Sequence, residues 1–364
     1  MPKLLHELLS SQAAARPSKI AVCWKDETIP FGELDQVSNQ LANTLRAHGC
    51  QFGDRVAVLI PNSANALLGV LGTLKAGCIA VPIDVTAPAA QVIQILNECQ
   101  PTMILVTRLA QSMLDELFDN DYLPYRLGTL EALPIEGEYF ATEFTGLCIL
   151  RESSEAPDCG ATTHAPAMLF CRSGEFACGV NAPMSRPVFQ ALASAPRRPT
   201  VVTHAEVLAF LTSRQRFQLT DCDRVLGLPL QSPLAVAEAF ASLAVGSELH
   251  IVPPDLMGQP RKLARFVRSH QLTEWLTNHG SLSEVIQSSE IRDGDLPSLK
   301  YLLWSGRALP ARMMYQLTQQ LPLTQFARIT GQDSKFGGEF SEVTCIPEFE
   351  PILTPDPQPA LVPA

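Results

Sequence analysis

Apolar residues along the first 110 positions fall into two alternating patterns. The runs "KIAVCW", "DRVAVLI", "CIAVPID" and "TMILVT" are apolar along nearly their whole length, which reads as strands buried on both faces. Helically spaced stretches separate them. In "FGELDQVSNQLANTLRAHG", Leu34, Val37, Leu41 and Leu45 share one face, and Gly49 lies just past the end. "SANALLGVLGTLKAG" reads as a helix with Ser63 as N-cap and Gly77 as its close. "PAAQVIQILNEC" is a further helix. This alternation predicts an α/β fold with a mainly parallel sheet covered on both faces.

The pattern weakens between about 111 and 166, where "SEAPDCGATTHAP" reads as a loop leading into the strand "AMLFC". Residues 180–199 carry four prolines and read as an irregular insertion. Alternation resumes in "EVLAFLTSRQRF", "DRVLGLPL", "VAEAFASLAVG", "SELHIV", "RKLARFVRSHQ", "TEWLT" and "LKYLLWSG". Two similar lobes are expected, 1–166 and 167–345, followed by a proline-rich extended tail over 346–364 with no core of its own.

Of the 364 residues, 46% are apolar and 18% charged, which excludes wholesale disorder. A net charge of −10 without a Lys/Arg cluster argues against nucleic acid as a partner. The N-terminal leucines 4, 5, 8 and 9 have helical spacing without the apolar core or cleavage site of a signal peptide. No stretch has the length and hydropathy of a membrane span, so a cytoplasmic protein is expected. The ten cysteines include no C-x-x-C pair and mostly sit in apolar runs, where thiols act as small buried hydrophobes. Cys171 and Cys178 read either as a redox pair or as two buried thiols. His6, His48, His164, His250, His270 and His279 show no ligand-like spacing and read as surface or structural residues. Neither G-x-G-x-x-G after a strand nor G-x-S-x-G occurs.

"TIPFGELDQVSNQLANTLRAHGCQFGDRVAVLIPNS", "LKAGCIAVPID" (74–84), "VVTHAEVLAFL", "DRVLGLPL", "AFASLAVGSEL", "LPSLKYLLWSGRALP" and "FARITG" occur in this order. Together they resemble the adenylate-forming, AMP-binding superfamily, in particular adenylation domains of nonribosomal peptide synthetases and stand-alone aminoacyl or acyl ligases. The resemblance reaches to about residue 345. It implies two stacked αβαβα lobes with mainly parallel sheets. It also implies ATP- and Mg-dependent activation of a carboxylate to an acyl-AMP, with the acyl group then passed to coenzyme A or a carrier protein.

Residue by residue, the resemblance assigns the phosphate loop to "LFCRSGEFACG" (169–179). Small residues in such a loop let backbone N–H groups approach phosphate oxygens. Ser173 and Gly174 are kept, but Glu175 brings negative charge and Phe176 bulk; the nearest later cations are Arg186, Arg197 and Arg198. His204 in "VVTH" matches the family just after the loop, as a channel-facing residue or a helix cap. In "RITGQDSKF", Thr330 stands where an adenine-stacking tyrosine is expected. Gly331 is kept, and Asp333 is a displaced metal carboxylate or a turn residue. Pro233 falls where amino-acid-activating relatives place an aspartate, Glu238 stays in register as a capping or solvated residue, and Arg307 replaces a common glutamate. The family's ribose aspartate and lid lysine lie beyond the last residue here, so the reading expects neither, and no catalytic or metal residue is assigned.

Two functions follow from these residues. One is an adenylation-type ligase of a biosynthetic pathway, impaired or inactive alone and completed by a separate C-terminal domain. The other is a non-catalytic binding or scaffold module for a carrier protein or synthetase partner. A decayed fragment is disfavoured by the intact helix caps and apolar faces.

Overall fold

The computed structural model describes residues 3–120, 126–135, 142–171, 199–213, 218–288, 290–292, 294–330 and 348–351. In chain order the first elements are α1 (Leu5–Ala15), β1 (Ile20–Trp24), β2 (Glu27–Pro30), α2 (Phe31–Ala47), β3 (Arg55–Leu59), α3 (Ala64–Lys75) and β4 (Ile79–Pro82). They are followed by α4 (Ala89–Cys99), β5 (Met103–Val106), α5 (Gln111–Asp119), β6 (Leu127–Thr129), β7 (Thr142–Phe144), α6 (Gly146–Ile149) and β8 (Pro166–Phe170). Next come β9 (Thr200–Thr203), α7 (His204–Ser213), β10 (Arg224–Gly227), α8 (Pro233–Val245), β11 (Glu248–Ile251) and α9 (Pro260–Ser269). The last are β12 (Glu274–Asn278), α10 (His279–Gln287), β13 (Tyr301–Ser305), α11 (Ala311–Gln320), β14 (Gln325–Thr330) and β15 (Glu348–Pro351).

Two sheets organise these elements. A seven-stranded sheet runs β7-β6-β5-β3-β4-β8-β9, parallel except for β9. An eight-stranded sheet runs β15-β14-β13-β12-β10-β11-β1-β2, parallel except for the edge strands β15 and β2. Helices α1, α2, α3, α7 and α8 fill the space between the sheets, sharing one core with Val56, Val58 and Leu105 of one and Val22, Val225 and Leu249 of the other. Helices α4 and α5 cover the outer face of the first sheet, and α9, α10 and α11 that of the second. The result is a five-layer αβαβα sandwich, as the resemblance implies.

Residue 166 does not divide the two sheets. Strands β1 and β2 cross into the second sheet, and β8 and β9 into the first. Parallel pairing needs only a long enough crossover, so sequence order does not dictate which sheet a strand joins. The expected tail also differs at one point: Glu348–Pro351 forms β15, antiparallel to β14. Pro351 suits an edge strand because its missing N–H can face solvent. "AVCW" likewise differs from expectation, since Cys23 is half-buried while Cys50, Cys78 and Cys99 are buried. The Cys171 thiol meets that of Cys99, a contact that pushes Cys171 well above the ordinary thiol range; Cys178 lies outside the described residues.

Candidate functional site

The segment most like the family, "LKAGCIAVPID", is structural at nearly every position. Lys75 is 2% exposed. Its Nζ donates to Asp35 Oδ1 and Asn39 Oδ1, both at 2.6 Å, and to the Asp35 carbonyl at 3.0 Å. Asp35 Oδ1 also accepts from Ser10 Oγ at 2.7 Å, so one ammonium ties α1, α2 and α3 together. Burial lowers the Lys75 pKa against the opposing pull of Asp35. Gly77 has φ +81°, and a Cβ there would stand 2.5 Å from the Cys159 carbonyl oxygen. Asp84 Oδ1 accepts from the Thr86 N–H and Oγ1, each at 2.8 Å, closing the turn after β4. Ser63 caps α3 as expected, accepting the Ala66 N–H at 3.3 Å.

Beyond this motif, the carboxyl ends of the two sheets are stitched together. Asn62, just after β3, donates from Nδ2 to the carbonyls of Gly227 at 3.2 Å and Val252 at 2.8 Å, at the ends of β10 and β11. Gln231 Nε2 reaches the Ile83 carbonyl, just past β4, at 3.5 Å. Ligands of open α/β sheets bind at such carboxyl edges. Strand β8, parallel to β4, ends at this edge, with Cys171 just past it. Strand β14, parallel to β13, ends there at Thr330. Asn62 is the positioning residue that sequence reading passed over. Its only signal was a polar side chain between a buried strand and a helix cap in "IPNS".

Ser173, Gly174, Gly331 and Asp333 lie outside the described residues, as do Glu175, Phe176, Arg186, Arg197 and Arg198. Thr330 ends β14 and pairs with Glu348. His204 is separated from this edge. Strand β9 runs antiparallel to β8, with Thr203 opposite Pro166 and Thr200 opposite Phe170. His204 therefore sits at the amino end of β8, about 16 Å from Cys171 at 3.3 Å per residue. There it is 2% exposed, and its Nδ1 accepts the Leu5 N–H at 3.1 Å. It thus caps the first turn of α1 beside Glu7, whose Oε2 accepts the Lys3 and Leu4 N–H groups at 2.6 and 3.3 Å. Burial holds its pKa at about 4.

Pro233 opens α8 as its first helical residue, with Ser232 Oγ accepting the Ala235 N–H at 3.2 Å. A proline suits that position because its missing N–H would have no helical partner. Glu238 is buried at 2% exposure, not solvated. The Arg307 side chain is exposed, and its carbonyl accepts from Trp304 Nε1 at 3.2 Å. A hollow of about 450 Å³, lined by Arg268, Gln271, Asp295, Leu296, Pro297 and Ser298, lies at the amino ends of β12 and β13, away from the stitched edge. No helix among the described residues is long and apolar enough to cross a membrane.

Comparison with known proteins agrees with this architecture. Residues 9–155 match the AMP-binding enzyme family. Malpinin synthetase of Mortierella alpina is 23% identical over 320 residues, covering 87% of this chain and 4% of that protein. The L-proline--[L-prolyl-carrier protein] ligase of Pseudomonas fluorescens is 22% identical over 331 residues, covering 90% of this chain and 61% of that protein. The chain thus spans less than two thirds of either relative. The solved structure of the nonribosomal peptide synthetase FmoA3 superposes with a TM-score of 0.74 at 23% identity, covering 99% of this chain and 34% of that one. Residues 9–155 thus resemble the AMP-binding enzyme family in sequence, and nearly the whole chain shares the fold of a nonribosomal peptide synthetase structure.

Proposed function

We propose that this chain is an adenylation-type module of a peptide-synthetase-like biosynthetic system, derived from ATP-dependent carboxylate activation and impaired or inactive alone. The observation that carries the reading is "SGEFAC". In the sequence it follows Cys171 by one residue, and the family resemblance assigns this stretch to the phosphate loop. Carboxylate attack on the α-phosphate gathers negative charge, so preorganised donors and cations are needed where that charge develops. At the sequence positions assigned to that loop, Glu175 brings negative charge and Phe176 brings bulk where a small residue would permit close backbone approach.

The excursion between Cys171 and Pro199 leaves and rejoins the sheet at one place, since Phe170 pairs with Thr200. Arg197 and Arg198 immediately precede that return, which supports a displaced basic end for the loop; an arginine fork suits phosphate. In this reading Ser173, Gly174, Thr330, Gly331 and Asp333 are the residual ATP- and Mg-side positions. The partner is a carrier protein or a synthetase, in keeping with the carrier-protein ligase and synthetases among the relatives. The packed five-layer scaffold beside so altered a loop favours a second reading, a non-catalytic docking module for those partners. An amino-acid substrate is disfavoured by Pro233, which offers neither charge nor donor.

Pyrophosphate exchange with a panel of carboxylic and amino acids tests the proposal, with and without a supplied C-terminal domain, alongside calorimetry with Mg-ATP. Impairment predicts no exchange by the chain alone and weak or absent nucleotide binding. Restored exchange with the added domain favours the ligase reading, and none in either arm favours the docking module. Robust exchange by the chain alone overturns the proposed impairment.

A further inference from the structure

On the outer face of the second sheet, away from the stitched edge, three side chains of different chemistry converge. Val22, Leu249 and Ile251 point into the core between the sheets. Their alternate neighbours therefore face the side covered by α9, because successive strand residues point to opposite faces. Cys23 lies directly opposite His250 in the β1–β11 pairing, and Glu248 stands two residues before His250 on the same face. The thiol, carboxylate and imidazole ligand atoms all lie within 4.8 Å of one another, with His250 Nε2 already 3.3 Å from Glu248 Oε2. Tetrahedral bonds of about 2.0–2.3 Å would set such atoms roughly 3.5 Å apart, so small side-chain rotations close the set.

We propose that Cys23, Glu248 and His250 form a three-ligand site for a borderline divalent cation, Zn²⁺ above all, with the fourth position open to water. The donor set selects the ion: thiolate and imidazole favour zinc over magnesium or calcium, which take oxygen ligands. His250 is 7% exposed, and its Nδ1 finds no hydrogen-bond partner among the described residues. The ring lies edge-on to His270, 5.7 Å between centroids, and His270 stacks on Phe266 at 4.0 Å. This packing fixes the imidazole plane. A thiol ligates a cation as its thiolate, so binding displaces a proton: Cys23–SH and M²⁺ give Cys23–S–M⁺ and H⁺.

Among the described residues, Arg224 of β10 also faces the cluster, its Nε 3.4 Å from Glu248 Oε2, beside the titratable ring of His270. The guanidinium opposes a cation while holding the carboxylate in place. Spacing in the sequence hid the site, because Cys23 and His250 meet only when β1 crosses into the second sheet.

The test is isothermal titration of the full chain with Zn²⁺ in a non-thiol reductant, alongside Co²⁺ as a spectroscopic probe. We expect one tight site, release of about one proton per ion, affinity rising with pH, and a thiolate-to-cobalt charge-transfer band. Cys23→Ser and His250→Asn should each weaken binding beyond the about 10–100-fold typical of losing an outer partner, and Cys23→Ser should abolish the band. Arg224→Gln should tighten binding severalfold, which adventitious thiol binding would not do. Circular dichroism and a thermal melt of each variant separate lost ligation from lost folding; should either ligand variant unfold, Arg224→Gln and the wild-type proton count decide. Absent binding, or binding and a cobalt band unchanged in folded Cys23→Ser, overturns the proposal.

Discussion

Mild acid should loosen the N-terminal helix through two buried histidines. His204 Nδ1 takes the Leu5 N–H, and the His6 ring meets His204 edge-on, 6.1 Å between centroids. Burial, then the charges of His204 and Lys75, hold His6 at about 4 against the weaker pull of Glu7 and Asp35. Burial holds His204 at about 4 as well. Both folded-state values lie below the ordinary 6.5, so between these limits the unfolded chain binds protons that the folded chain does not. Their stabilisation is complete above pH 6.5 and is lost as pH falls toward 4. Full loss corresponds to about 3 kcal/mol for each ring, and at pH 5 to about 2 kcal/mol each. Protonation also turns Nδ1 of His204 into a donor facing the Leu5 donor. Urea melts followed by circular dichroism at pH 7.5, 6.0 and 5.0 should show the wild type losing about 4 kcal/mol from this pair, on a background to which the depressed His250 contributes. In His204→Asn the amide oxygen can take the Leu5 N–H without titrating, so about half of the pair's acid loss should vanish. An identical loss in wild type and variant would refute this account.

Substitutions at three places in the scaffold probe it, each read by urea midpoint at pH 7.5. Lys75→Ala, which strands Asp35 beside Asn39, should cost about 3–5 kcal/mol; Lys75→Met, which fills the volume but leaves Asp35 unpaired, should not rescue it, whereas Lys75→Met with Asp35→Leu should recover much of the loss. Gly72→Ala would put a Cβ 2.5 Å from Leu41 Cδ2 and 2.9 Å from Leu41 Cβ, and should cost about 1–3 kcal/mol by forcing α2 and α3 apart. Asn62→Ala leaves the Gly227 and Val252 carbonyls without its amide and should cost about 1–3 kcal/mol. Hydrogen exchange should rise at the ends of β10 and β11 in that variant.

Local periodicity makes most helices and strands legible in the sequence. Leu34, Leu41 and Leu45 of α2 are indeed buried, and Ser63 and Gly77 bound α3 as their chemistry demands. What periodicity cannot carry is partnership across the chain. The β1–β2 hairpin pairs with β11 by a register that no local pattern encodes. His204 reads as a site residue because it follows the loop closely in sequence, yet antiparallel β9 carries it to the opposite edge. Family likeness misleads in a related way. "LKAGCIAVPID" is the segment nearest to the family, but its lysine is spent on a buried ion pair and its glycine on a turn that admits no Cβ. Such a motif can persist for packing alone, whatever becomes of the chemistry nearby. The match over residues 9–155 therefore speaks to the scaffold, and the proposed impairment rests on Glu175 and Phe176, which that match does not reach.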